Sequence, residues 1–340
     1  MISLLRSLLA AIEGRPEPLP ADATEVLAVA RRHRLSPLLS LGELPGAPAS
    51  LAETFRHDRV TTTARNLIFA QVAEECAAAL SAAGVPVVLL KGLAYNATIY
   101  PEPGVRPTSD VDLLVPDAER RTAFATLDRL GFEPHAAAPG FDDADYHEVA
   151  WTRSGVEVDL HLALAPLARC QIDYREVWGG VRDVPIGRTR AGVLHPKHAA
   201  IFHALHMAID HFDVPALYLL DLSRLLPDAD ARAGAEALAR AWGCWRPFAT
   251  ATALTAAFLP GWRGRGPHDA VAPFSSRVVA DYGSRERVPR QEQLVRKLTH
   301  FDTRTDAVRY LAVQGRRNVR ELYERRVRRR SARERLALGR

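Results

Sequence analysis

Residues 108–115 constrain the fold of this chain more than any other segment. Their sequence is Thr-Ser-Asp-Val-Asp-Leu-Leu-Val, so that Asp110 and Asp112 stand at the start of a short apolar run. Successive side chains of a strand point to opposite faces, and residues two apart therefore share a face. The segment predicts a buried strand that presents both carboxylates on one side and turns Val111 into the core.

Two neighbouring carboxylates repel each other unless a cation lies between them. A hard divalent ion such as Mg²⁺ suits the pair, because it takes oxygen ligands and is usually held by one or two carboxylates together with substrate phosphates. Serine and aspartate before an apolar run are also typical of a turn or a helix cap. The flanking segments favour the metal site over this simpler interpretation.

The segment upstream predicts a strand that leads into a helix. Residues 85–90 are apolar and rich in β-branched side chains, and residues 93–100 have the pattern of a short helix. Lys91 and Gly92 fall at the junction, where glycine permits close backbone approach and a helix N-terminus favours an anion. Arg106 ends the proline-rich loop that follows, and it could clamp a phosphate or pair with one of the aspartates.

Two further strands are predicted downstream. Residues 146–153 and 156–164 are joined by a Ser-Gly pair that is typical of a hairpin. On the second strand Asp159 and His161 share one face, opposite a row of apolar side chains. Asp159 therefore offers a third carboxylate to the acidic pair.

These motifs together resemble the DNA polymerase β-type nucleotidyltransferase superfamily, and more narrowly the uncharacterised nucleotidyltransferase family of bacteria. The resemblance rests on residues 89–92, 106–115 and 158–161 and extends over about residues 81–260. It departs from the wider superfamily in two respects, because Leu93 follows Gly92 where a serine or glycine is usual, and because the spacer to Asp110 and Asp112 is longer than usual. The resemblance implies an α+β fold, in which a small mixed β-sheet core is flanked by N-terminal helices and a C-terminal helical domain.

The resemblance also implies the chemistry. Such enzymes transfer a nucleoside monophosphate from an NTP to an acceptor, commonly with two divalent metal ions, here Mg²⁺ or Mn²⁺. The residues carried over as catalytic and metal-binding are Asp110, Asp112 and Asp159. The residues carried over as nucleotide-binding are Lys91, Gly92, Arg106 and Ser109. The candidates for contacting the acceptor or orienting another site residue are His161 and His206.

A histidine cluster on residues 197–213 has three interpretations. The spacing His203-x-x-His206-x-x-x-Asp210 is a weak zinc pattern. Packed or hydrogen-bonded histidines are the preferred alternative, since histidine has many structural roles. In the third interpretation this helix closes over the nucleotide cleft and brings His206 to the substrate.

The acceptor is left open by the sequence. Relatives often sit near pathways for natural products or surface polysaccharides, so a small molecule, a sugar or a peptide is expected. Two alternatives keep the same fold: a toxin-like enzyme that modifies RNA or protein, and a non-catalytic nucleotide-binding scaffold. The intact set of three aspartates argues against the scaffold.

The end of the chain is strongly basic. Residues 316–340 contain eleven arginines and three glutamates, a net charge of 11 − 3 = +8. Such a tail can contact nucleic acid. Its glutamates, however, are spaced to pair with arginines along one solvated helix, so nucleic acid is not the favoured partner.

Composition bounds the remaining expectations. A chain of 340 residues with 47% hydrophobic and 25% charged residues predicts a globular protein of two or three domains. No apolar run approaches the ~18 residues of a membrane span. Three isolated cysteines, together with an N-terminal segment unlike a secretory signal, favour the cytoplasm. The expected division is an N-terminal helical region (1–80), a nucleotidyltransferase α/β core (81–190), a C-terminal helical domain (191–315) and a basic helical tail (316–340).

Overall fold

The computed structural model describes residues 2–19, 21–100, 102–135, 147–166, 170–262, 273–282, 289–312 and 315. The basic tail, residues 316–340, lies outside this part of the chain. Among the described residues no helix is both long enough and apolar enough to cross a membrane.

The N-terminal region is helical, as the sequence predicts. Its elements are α1 (Ile2–Ile12), α2 (Ala23–Arg32), α3 (Ser36–Leu39) and α4 (Ala49–Ala82). The side chain of Asp22 caps α2 by accepting from the backbone N–H groups of Thr24 and Glu25. Helix α2 ends before Arg34, whose φ of 58° is incompatible with a right-handed helix.

A single mixed sheet forms the centre of the molecule. Its strands are β1 (Val88–Leu89), β2 (Val111–Leu114), β3 (Glu133–Pro134), β4 (Glu148–Arg153), β5 (Val156–His161), β6 (Arg182–Ile186) and β7 (Thr189–Val193). They lie in the order β3-β4-β5-β2-β1-β7-β6. Strand β2 is in the middle, antiparallel to β1 and parallel to β5. The α+β fold class and the mixed sheet are therefore confirmed, whereas β3, β6 and β7 were not predicted.

The predicted hairpin joins β4 to β5. Ser154 and Gly155 occupy its turn with φ values of 51° and 78°. Positive φ at both central residues is the conformation that a two-residue turn needs to match the twist of the flanking strands. The hairpin sets the register in which Ala150 of β4 lies opposite Asp159 of β5.

Shorter helices lie between the strands, and a longer helical region follows. The former are α5 (Lys91–Thr98), α6 (Arg120–Arg129) and α7 (Tyr174–Gly179). The latter are α8 (Pro196–Ile209), α9 (Leu217–Leu225), α10 (Ala229–Ala241), α11 (Trp245–Phe258), α12 (Pro273–Asp281) and α13 (Arg290–Thr299).

One apolar core joins the sheet to the helices on either side of it. Leu8 of α1, Leu113 of β2 and Phe202 of α8 all belong to the same buried cluster. Helix α4 packs against β2, β7 and α6, and α8 packs against α9, α10 and α11. The division of the chain into four regions stays a prediction, and strand β7 extends past the expected boundary at residue 190 to Val193.

Candidate active site

Three carboxylates meet where β2 and β5 run side by side. The two strands are parallel, and their register places Asp112 opposite Asp159. Asp110 immediately precedes β2. One carboxylate oxygen from each of Asp110, Asp112 and Asp159 lies within 4.8 Å of the other two. The structure thus brings together the three aspartates that the sequence singles out.

The electrostatics of this cluster suit a divalent cation. Burial, with the charge of Asp112 second, raises the pKa of Asp159 to about 7. Burial and the same neighbour also raise the pKa of Asp110. Each shift shows that the ionised carboxylates destabilise one another, and a cation among them would remove that repulsion. The donor set consists of carboxylate oxygens, the ligands that Mg²⁺ and Mn²⁺ prefer.

Asp112 is the fixed member of the cluster. Its Oδ1 lies 2.8 Å from Nζ of Lys91 and 3.0 Å from Nε2 of His161. Burial alone would raise the pKa of Asp112, but Lys91 and His161 outweigh it and hold that pKa well below its usual range. Asp112 is therefore ionised and held in one orientation, and Lys91 is positioned by the carboxylate beside it.

The turn that carries Lys91 is tightly built. Lys91 has a φ of 37°, a left-handed conformation that few non-glycine residues adopt. At Gly92 a Cβ atom would lie 2.7 Å from Cγ2 of Thr108, which is too close for any other residue without a shift. Glycine at this position therefore lets the start of α5 pack against the loop before β2, and that packing brings Lys91 to Asp112.

Arg106 occupies a different environment from the one expected. Its Nε donates to Oδ1 of Asp221 at 3.0 Å and its Nη2 donates to Oδ2 at 2.8 Å. The hydroxyl of Tyr100 donates to Oδ1 of the same aspartate at 2.7 Å. Both members of this ion pair are buried. This geometry argues against a phosphate contact of Arg106, because Asp221 on α9 engages the face of the guanidinium that would clamp the phosphate. The role of Arg106 stays a prediction.

The remaining predicted residues lie around the carboxylates. Ser109 is exposed, and its side chain hydrogen-bonds to Asp110. Nδ1 of His161 lies 3.4 Å from Oε2 of Glu148. The two groups are close enough for an electrostatic interaction, but their alignment does not give a hydrogen bond. His161 thus lies between two carboxylates and orients Asp112. Glu148 of β4 was not singled out from the sequence, since it is one charged residue at the start of a strand.

His206 of α8 faces the same site. Its ring stacks on Tyr218 with the ring centroids 5.8 Å apart. Burial, with the charge of Lys91 second, holds the pKa of His206 well below its usual value, so the ring is neutral at pH 7. The stacked pair presents an aromatic surface close to Lys91 and Asp112, although its role stays a prediction.

His203, by contrast, is a structural residue. Its Nε2 lies 2.9 Å from the backbone oxygen of Tyr218, and its Nδ1 lies 3.4 Å from the hydroxyl of Tyr95. Burial lowers its pKa to about 4. Across the described residues the group placed to hold a metal ion is the aspartate trio and not the histidine cluster. The zinc interpretation is therefore not supported.

The mixed sheet, the Lys-Gly turn and the aspartate trio on adjacent strands define the class of the protein, a nucleotidyltransferase. The model of the family described as uncharacterised nucleotidyltransferase matches residues 20–260, and the chain belongs to that family. The match covers well over half of the chain. It begins far upstream of residue 81, so helices α2, α3 and α4 lie within the matched region, whereas α1 precedes it.

Two solved structures are among those similar to this chain. One is the solution structure of the antibiotic-resistance factor ANT(2'')-Ia, and the other is a crystal structure of ANT(2'')-Ia in complex with adenylyl-2''-tobramycin. Each is 15% identical to this chain with a TM-score of 0.37, and the matches cover 51% of this chain and 91% and 95% of the two neighbours. Similarity at this level identifies neither a substrate nor a site residue. No curated protein matches the chain.

Proposed function

We propose that this protein transfers a nucleoside monophosphate from an NTP to an acceptor, with the help of a divalent metal that is held by Asp110, Asp112 and Asp159. The observation that supports the proposal is the convergence of these carboxylates, with one oxygen of each within 4.8 Å of the others. Bound Mg²⁺ or Mn²⁺ would supply charge neutralisation at the phosphates and stabilise the attacking and leaving oxygens.

The protein groups have separate tasks in this proposal. Lys91 and His161 fix Asp112 in its ionised form, so that one metal ligand needs no reorganisation when the donor binds. The Lys91 charge and the Gly92 amide, at the start of α5, lie where they can offset negative charge on the donor phosphates. Ser109 is placed on the exposed rim as a nucleotide contact.

We assign Asp159 as the general base. The charges of His161 and Glu148 act on this carboxylate, whereas those of Lys91 and Arg34 act on Asp110. We assign the acceptor to the Asp159 side, where this carboxylate can accept the proton of an attacking hydroxyl. The aromatic pair of His206 and Tyr218 is assigned to contact the donor or the acceptor beside it.

The acceptor class in this proposal is a small molecule, a sugar or a peptide. Nucleic acid is not the favoured acceptor. It would have to bind the basic tail, residues 316–340, and the glutamates of that tail are spaced to pair with its arginines. Unchanged function of a chain truncated before Arg316 would agree with this assignment. Loss of RNA or protein binding on truncation, with NTP turnover retained, would favour the RNA- or protein-modifying alternative.

Calorimetric titration with each of the four NTPs in the presence of Mg²⁺ tests the proposal. Wild type should bind one or more NTPs, and the double variant Asp110→Asn/Asp159→Asn should bind none. These substitutions spare Asp112, whose removal would leave Lys91 buried beside an uncharged residue. Glu157→Gln is the matched control, because it neutralises an exposed carboxylate on the same strand as Asp159.

Retained binding by the control and loss by the double variant would establish the site and identify the donor, which could then be labelled for the acceptor search. Absence of NTP binding by the folded wild type would contradict the proposal. Equal affinities of wild type and the double variant would contradict it as well.

A further inference from the structure

A short segment of the N-terminal region is fixed against the active-site helix α9. The backbone oxygen of His33 accepts from the N–H of Leu217 at 3.2 Å, and Nδ1 of His33 accepts from the N–H of Ala216 at 3.2 Å. Leu35, two residues on, is completely buried. Arg34 is therefore held between two anchored neighbours, next to the turn of α9 that carries Tyr218.

The backbone of Arg34 ends helix α2. Its φ of 58° lies in the left-handed region, and the N–H of Leu35 just beyond it donates to the backbone oxygen of Ala30 at 2.8 Å. This arrangement commonly ends a helix, and glycine usually occupies the left-handed position because it loses the least free energy there. The cap therefore fixes the place of Arg34 but does not require its charged side chain.

The charge of Arg34 influences residues of the site, although its side chain forms no hydrogen bond or ion pair within the described residues. Burial raises the pKa of Asp110 and that of the Tyr218 hydroxyl, and the guanidinium charge lowers both as a smaller effect. The arginine is half-buried. Lys91 and Arg106, the two cations that the sequence suggested for phosphate, each have a carboxylate partner, since Lys91 pairs with Asp112 and Arg106 pairs with Asp221.

The hydrogen bonds of His33 place Arg34 beside the start of α9, next to Tyr218, which stacks on His206 of the site. The positive charges of Lys91 and Arg34 act on Asp110, whereas the negative charge of Glu148 acts on Asp159. A polyanion is therefore favoured on the Asp110 side of the cluster. A planar guanidinium offers five donors in a fork that matches phosphate oxygens, and an arginine with no protein partner is suited to bind them.

We propose that Arg34 binds the polyphosphate of the nucleotide donor and completes the active site from the N-terminal helices. This assignment rests on the proposed function. Arg34 lies within residues 20–260, the part of the chain that the family model matches. It also places on Arg34 the phosphate contact that the sequence had suggested for Arg106.

Arg34→Gly separates this role from a structural one. Glycine relieves the strain at a positive φ while it removes the cation, so the variant should melt at a temperature no lower than wild type. Its affinity for the NTP that wild type binds, measured by calorimetry with Mg²⁺, should fall about tenfold or more, because a charge-assisted hydrogen bond to phosphate is lost. Affinity for the corresponding nucleoside monophosphate should change much less.

Two further variants complete the experiment. Arg34→Lys keeps the charge without the fork and should bind the NTP with intermediate affinity. Arg188→Ala is the matched control, because it removes a positive charge whose side chain is 97% exposed in the turn between β6 and β7. Its NTP affinity should equal that of wild type.

The outcomes distinguish this assignment from the proposed function. If wild type binds an NTP and Arg34→Gly binds it equally well, the Arg34 assignment is overturned and the proposed function stands. Equal losses for the NTP and the monophosphate, or a lower melting temperature of Arg34→Gly, would also overturn it by showing a structural role. If wild type binds no NTP, both are overturned.

Discussion

Removal of the Asp221 carboxylate should destabilise the protein strongly. Asp221 is completely buried and accepts three hydrogen bonds, two from Arg106 and one from Tyr100. In Asp221→Asn the guanidinium stays buried without its counter-charge. Breaking a buried ion pair from one side typically costs about 3–5 kcal/mol, most of which is the penalty of the uncompensated charge. We therefore expect the free energy of unfolding to fall by about 3 kcal/mol or more.

Urea denaturation of four proteins measures this effect: wild type, Asp221→Asn, Arg106→Met and the double variant. Methionine keeps the apolar stem of the arginine side chain but not its charge. Because the double variant leaves no buried charge behind, its loss should be smaller than the sum of the two single losses by more than about 1 kcal/mol.

An exposed pair on α10 provides the control. Arg240 donates to Glu236 across one helical turn, and the arginine side chain is 52% exposed. Glu236→Gln should cost less than about 1 kcal/mol, as exposed ion pairs do. If Asp221→Asn costs no more than this control, the argument from burial is refuted.

The carboxylate cluster and the tight turn beside it carry further predictions. Because the folded state raises the pKa of Asp159 to about 7, it holds that proton more tightly than the unfolded chain. As the pH rises from about 4 to about 7, the free energy of unfolding of the metal-free protein should therefore fall, by at most about 4 kcal/mol. Thermal melts in EDTA should show this trend, and Asp159→Asn should flatten it; a wild-type slope that persists in the variant would contradict the assignment. At pH 7.5, Mg²⁺ should raise the melting temperature of wild type but not of Asp159→Asn. Gly92→Ala should cost about 1–3 kcal/mol in urea denaturation, because its Cβ meets Thr108. Thr108→Ser removes the nearest methyl and should recover part of that loss, and no recovery would mean that another contact is responsible.

The parts of the site that the sequence predicts are those with a short-range signal. Asp110 and Asp112 stand two residues apart at a strand, so strand geometry alone places them together. Asp159 lies on the second strand of a hairpin whose turn residues are recognisable. The alternation of side chains along that strand puts it on the same face as His161. Periodicity gives the face on which each carboxylate lies, whereas the pairing of β2 with β5, which brings Asp159 to the other two, was implied by the family resemblance.

The parts that were missed depend on contacts between distant segments. Arg106 and Asp221 are 115 residues apart in the chain, and nothing near Arg106 reveals its partner. Strand β6 carries charged residues and Pro185, which are unusual in a strand, and it forms at the sheet edge because β7 pairs with it. A left-handed arginine such as Arg34 leaves no mark in a sequence pattern.

These missed contacts show how the site is assembled. Arg106, in the loop before β2, is bound by Asp221 on α9, and the same helix is held at its start by His33 from the N-terminal region. Tyr218, between those two attachments, stacks on the His206 ring beside the carboxylates. The aspartates belong to the sheet, but the helices before and after it determine which groups surround them. Residues 81–190 alone would therefore contain the three aspartates and Lys91 but lack Arg34, His206 and Tyr218, which we propose to contact the substrates.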